Sequence, residues 1–99
     1  MSFRVVEENG VATVFLTGDI DVEHSPGART TLLAAVKKGQ PVVVDLSGVS
    51  YMDSSGVASL VEAFQRARAA SLEFALVRVS EQVRKVLMLA RLDKVFTIR

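Results

Sequence analysis

The chain of 99 residues and 10.7 kDa has room for a single hydrophobic core, because a chain of this size buries only about 60–70% of its unfolded surface. Twelve Lys and Arg against eleven Asp and Glu leave a net charge of +1, too weak a field to gather nucleic acid or anionic lipid, and the absence of cysteine excludes disulfides, thiolate catalysis and cysteine metal sites. The 49% apolar content and mean hydropathy of +0.33 argue for a packed core rather than disorder. No apolar run approaches the roughly 18–20 residues that cross a bilayer. MSFRVVEENG also lacks the apolar centre of a secretory signal, so one cytoplasmic domain over residues 1–99, with no insertion into membrane, is expected.

FRVVEENGVATVFLTG carries two short apolar segments around Asn9-Gly10, a pair that accepts the positive φ angles of a tight turn, and predicts an antiparallel hairpin. Ser25 followed by Pro26 has the form of an N-cap with proline in the first turn. Leu32, Leu33 and Val36 then make a helical stripe that stops at Gly39 and Pro41. PVVVDL is apolar and β-branched, as a central strand requires. In the next helix Val57, Leu60, Val61 and Phe64 fall at i, i+3, i+4 and i+7, and Ser59, Glu62 and Arg66 are placed opposite them on an exposed face. LEFALVRV is a further strand. Ser80 caps a third helix with Val83, Val86, Leu87 and Ala90 inward, and KVFTI closes the chain as a short strand.

The order ββαβαβαβ predicts an α/β fold with a mixed, mostly parallel sheet. Right-handed crossovers place the C-terminal ends of the crossover strands along one edge. That edge collects Asp19 and Asp21, the run Asp53, Ser54, Ser55 and Gly56, and Arg78 to Ser80. Open parallel sheets usually carry their function there.

The D-S-S-G run admits two readings. As a helix start it needs only an Asp or Ser side chain to satisfy unpaired N–H groups, a cap that contributes about 0.5–2 kcal/mol. The same N–H groups and dipole also tolerate a phosphate, and phosphorylating a serine there adds roughly −1.5 to −2 charges. Gly56 is expected to leave that approach unobstructed. Beside Asp53, such a dianion repels a partner while sparing the fold, which is the behaviour of a reversible switch.

GDID (Gly18 to Asp21), VVVDLSGVSYMDSSGVASLV and VRKVLMLARLDKVFTI, in this order, resemble the STAS domain family, notably the bacterial anti-sigma factor antagonists. The resemblance implies that Ser54, directly after Asp53, is phosphorylated by a partner anti-sigma factor with serine kinase activity. It further implies that the unmodified form binds this partner, that the phosphorylated form releases it and that a phosphatase resets the switch. The docking surface is then expected to join Asp19, Asp21, Asp53, Ser55, Gly56, Ser59, Glu62 and Arg66. The same motifs resemble the small STAS subunit of lipid-asymmetry ABC transporters, whose partner is an ATPase. Those relatives often carry threonine at the corresponding hydroxyl, so D-S-S-G favours the switch.

An enzyme would need Ser54 or Ser55 as nucleophile and His24, the one histidine, as base. No G-x-S-x-G elbow surrounds either serine. Asp19, Asp21, Glu23 and His24 alternate with Ile20 and Val22 as strand residues do, without the glycine of a calcium loop, so neither a metal nor another cofactor is expected. No phosphate-binding glycine motif is present, and the chain is not expected to hydrolyse nucleotide. Met88, opposite the apolar stripe of the third helix, either packs under the C-terminal strand, is a scattered surface residue, or marks a patch through which a homodimer forms.

Overall fold

The computed structural model describes residues 3–99. Its elements run β1 (Phe3–Glu8), β2 (Val11–Ile20), α1 (Ser25–Lys37), β3 (Val42–Met52), α2 (Ser54–Ala69), β4 (Phe74–Val77), α3 (Glu81–Leu89) and β5 (Thr97–Ile98). Asn9 and Gly10 take φ of 53° and 76°, the pair of left-handed residues that a two-residue hairpin turn demands. Glu8 accordingly faces Val11 across an antiparallel ladder. The remaining ladders, β2 with β3, β3 with β4 and β4 with β5, are parallel, in the spatial order β1-β2-β3-β4-β5.

One core holds the layers together. Val14, Val44 and Leu76 from the sheet, Leu32 from α1, Leu60 from α2 and Leu87 from α3 are all fully buried members of a single cluster, so the three helices cover the same face of the sheet. Fully burying each such side chain is worth about 1.5–3 kcal/mol. Phe64, Phe74 and Phe96 meet with ring centroids 5.3–6.3 Å apart. Only Thr97 and Ile98 of KVFTI form ladder pairs, because the Val95 and Phe96 N–H groups donate to the Leu92 carbonyl at 3.0 and 3.1 Å and hold that stretch in a turn.

Two helix ends differ from what the sequence predicts. Ser25 is the first residue of α1 and is buried, while His24 occupies the cap position without a side-chain cap bond. The loop before the helix is instead fastened by Asp21, whose Oδ1 accepts from the backbone N–H of Glu23 and of His24, both at 3.1 Å. Ala90 lies beyond the end of α3 and is exposed, because the helix stops at Leu89. Val83 and Leu87 are buried and Val86 is half-buried, as the stripe predicts.

Strands β2 and β3 are longer than their apolar cores and run together to Ile20 and Met52, with irregularities of register between Phe15 and Thr17 and between Gly18 and Asp19. Gly48 is needed on this stretch, since a Cβ there would stand 2.7 Å from the Thr17 Cγ2. The ladder ends where the Asp53 N–H donates to the Ile20 carbonyl at 3.3 Å. That bond sets the start of α2 directly above the end of β2.

Candidate functional site

Asp53 is the N-cap of α2. In extended conformation, with φ −108° and ψ −170°, its Oδ1 accepts from the backbone N–H of Ser55 at 2.8 Å and of Gly56 at 3.3 Å. Its carboxylate thus neutralises two of the unpaired donors that the helix start presents. Ser54, the first helical residue, is exposed, and its hydroxyl bonds to no other described residue. Ser55 is half-buried and lines a groove of about 400 Å³ between the first turns of α1 and α2, with Pro26, Arg29 and Glu62 among its walls. The two adjacent serines therefore differ: Ser54 is exposed at the helix start, whereas Ser55 is half-buried at the groove.

Gly56 is not the open approach that the sequence suggests. It is buried, and a Cβ added there would lie 2.6 Å from Met52 Cγ, 2.7 Å from the Ile20 carbonyl oxygen and 2.9 Å from Ile20 Cγ2. The glycine lets the first turn of α2 descend onto the ends of β2 and β3.

Ser59 also departs from the exposed face predicted for it. It is buried rather than exposed, and its hydroxyl donates to the Ser55 carbonyl at 3.2 Å and to the Ser25 carbonyl at 3.3 Å. Helix α1 covers this side of α2, which the periodicity of α2 considered alone does not reveal. Glu62 reaches the surface but is committed within the chain. Arg29 of α1 donates to it through two nitrogens, Nε to Oε1 at 2.8 Å and a terminal nitrogen to Oε2 at 2.6 Å. Those hydrogen bonds hold the Glu62 carboxyl below its ordinary range, outweighing partial desolvation, and raise the Arg29 guanidinium. Arg66 lies 4.0 Å from Glu62 and remains exposed.

The acidic residues after β2 have separate roles. Asp19 is exposed and pairs in register with Tyr51, beside the Asp53 loop. Asp21 receives His24 Nδ1 at 2.8 Å in addition to its two backbone donors. Partial burial pushes its carboxyl up, but the His24 and Glu23 hydrogen bonds and the His24 charge together hold it below the ordinary carboxylate value. His24 is therefore tied to Asp21. Among the described residues no group of three His, Cys, Asp or Glu is arranged to hold a metal ion, and no helix is long and apolar enough to cross a membrane.

Three contributors were not singled out from the sequence. Gln82 of α3 closes the end of β3: its Oε1 accepts from the Met52 N–H at 3.0 Å and its Nε2 donates to the Met52 carbonyl at 3.3 Å. The side-chain amide stands in for a neighbouring strand where β4 has already ended. Val22 is 74% exposed and Tyr51 45% exposed, so large apolar surface flanks the Asp53 loop. An exposed aromatic within YMDSSG was visible as a residue type, whereas the Gln82 contact spans 30 positions and leaves no local signal.

The STAS domain family matches residues 2–99. The chain is 31% identical over 87 residues to the anti-sigma-B factor antagonist of Listeria monocytogenes, covering 87% of this chain and 76% of that one. Its fold is shared with an anti-sigma factor antagonist from Mycobacterium paratuberculosis at a TM-score of 0.89 and 28% identity, covering 98% of this chain and 83% of the other. A STAS domain protein from Planctomyces limnophilus aligns at a TM-score of 0.87 and 26% identity, covering 97% and 87%. With the fold, the capped D-S-S-G helix start and these likenesses in agreement, the chain belongs to the STAS domain family, alongside bacterial anti-sigma factor antagonists.

Proposed function

We propose that the protein is an anti-sigma factor antagonist, a non-enzymatic module that binds an anti-sigma factor with serine kinase activity and is switched by phosphorylation at Ser54. The observation that carries this reading is the geometry of the two serines: Ser54 stands exposed at a capped helix start, while Ser55 is half-buried in the adjoining groove. The likeness to the Listeria antagonist supports the choice of partner. A kinase can reach the Ser54 hydroxyl without unfolding the helix, and the helix dipole stabilises the phosphate that results. The partner supplies the ATP, and a phosphatase restores the free hydroxyl.

Docking uses the edge around Ser54, with Asp19 and Asp53 as charged contacts and the exposed Val22 and Tyr51 as apolar anchors. Aromatic anchors carry much of the energy of protein interfaces, and charges beside them set specificity. The exposed Arg66 extends this surface along α2, whereas Ser59 and Gly56 support it from below. A dianion on Ser54 must be desolvated next to Asp53 when the partner closes. A coupling of about 1–3 kcal/mol weakens binding roughly 5- to 150-fold.

The test is a calorimetric titration with the cognate anti-sigma factor. Wild type and Ser54→Ala bind, phospho-Ser54 binds far more weakly and Ser54→Asp falls between, all with unchanged circular dichroism. Equal affinity of the phosphorylated and free forms, or phosphate found by mass spectrometry only on Ser55, overturns the proposal.

A further inference from the structure

The sheet has two faces, and the helices cover one. Residues paired across the ladders lie on the same face, so Val6, Thr13, Val43, Ala75 and Thr97 form one row and Arg4, Phe15, Asp45 and Val77 the next. These alternate along each strand with the core-facing row of Val5, Val14, Val44 and Leu76. None of the residues in the first two rows belongs to the hydrophobic core or packs against it, although Ala75 is only 2% exposed. Val6, Phe15, Val43 and Val77 are half-buried by their neighbours within the sheet alone. Three of the four ladders are parallel, and parallel sheets occur almost only with both faces covered. Among the described residues, nothing covers this face.

The charges on it indicate what does. Arg4 and Glu8 lie on the same face of β1, one on each side of Val6, and neither takes part in an ion pair among the described residues. The Arg4 guanidinium rests 4.7 Å above the Phe15 ring. The other charge in these rows, Asp45, is already satisfied by the Ser47 N–H and hydroxyl and by Arg78 at 3.8 Å. A two-fold axis running across the strands at the Val6 row lays β1 antiparallel over β1 of a second molecule. Arg4 of each then meets Glu8 of the other, and Phe15 meets Val11. One surface complements itself in this way, as an isologous dimer requires.

We infer that the outer face of the sheet, centred on Val6, Phe15 and Val43, is the interface through which the protein pairs with a second copy of itself. The helix layer and the Ser54 edge remain outside this contact, so a dimer presents two docking sites at once and engages a two-site partner with added avidity. The inference stands on the sheet face and does not depend on the proposed phosphorylation. It also differs from the alternative patch on α3, where Met88 is 55% and Leu89 86% exposed.

Sedimentation velocity on the full chain, over a concentration series reaching the sub-millimolar range, tests it. Wild type shows a dimer fraction that rises with concentration. Phe15→Glu is monomeric. Arg4→Glu and Glu8→Arg each raise the dimer dissociation constant about tenfold or more, because like charges then face each other twice per dimer. The double variant Arg4→Glu/Glu8→Arg regains dimerisation, and Met88→Glu leaves it unchanged, with native circular dichroism throughout. Three results overturn the inference: a wild type monomeric at every concentration, a dimer broken by Met88→Glu and indifferent to Arg4→Glu, or a folded double variant no better than the single ones.

Discussion

Replacing Gly56 by alanine tests how the site is built. The added methyl group would lie 2.6 Å from Met52 Cγ and 2.7 Å from the Ile20 carbonyl oxygen, where ordinary contacts lie at about 3.5–4.0 Å. The Met52 side chain can adjust, but Met52 has no exposed surface into which to retreat. The Ile20 oxygen is backbone, already accepting the Asp53 N–H at 3.3 Å. Relief therefore requires α2 to lift off the strand ends, an overpacking cost of about 1–3 kcal/mol. Opposing it is the better helix propensity of alanine, at most about 1 kcal/mol, which arises chiefly because glycine loses more conformational freedom on folding. Because that gain shrinks in a first helical turn held in place by tertiary contacts, the net expectation is destabilisation of about 1–2 kcal/mol, or roughly 4–16 °C in Tm for a domain of this size. Gly56→Val is worse, since its second and third carbons meet the same wall. Urea and thermal unfolding followed by circular dichroism measure both. A Gly56→Ala variant as stable as wild type would mean that the start of α2 is not seated on Ile20 and Met52 as described.

The remaining predictions concern the residues around that seat. Asp53→Ala loses the cap and costs about 0.5–2 kcal/mol, whereas Ser54→Ala falls within ~0.5 kcal/mol of wild type because its hydroxyl bonds to no other described residue; urea midpoints that reverse this order refute the cap assignment. Gln82→Ala leaves the Met52 N–H and carbonyl without their side-chain partner and costs about 1–3 kcal/mol, and faster hydrogen exchange at Met52 is the local signature to look for. Glu62 has a folded pKa lowered from 4.5, so its pairing with Arg29 contributes stability above that pH and loses it as pH falls through the lower folded value. The stability difference between wild type and Glu62→Gln, read from urea midpoints between neutral and acid pH, therefore shrinks on acidification; a difference that grows refutes the assignment.

Much of this was legible in the residues themselves. Local chemistry governs a turn, a cap and a buried stripe, and these depend on a few neighbours along the chain. Hence Asn9-Gly10 marked the hairpin, the order of apolar segments marked the ββαβαβαβ architecture, and the D-S-S-G motif marked an exposed, capped helix start. The likeness of GDID and YMDSSG to the STAS family reached the correct family for the same reason, since both motifs encode strand-end and helix-start geometry. Tertiary structure decided which neighbours those local elements would have. Ser59 and Glu62 looked like solvent-facing positions of one amphipathic helix, but α1 packs beside α2, burying the first and binding the second through Arg29. Gly56 looked like room for a partner, yet it makes room for Ile20 and Met52, which lie 36 and four positions earlier in the chain. Gln82 completes β3 from 30 residues away. The pattern along one element records its own period, whereas a contact between elements depends on their relative placement, which only the folded chain defines.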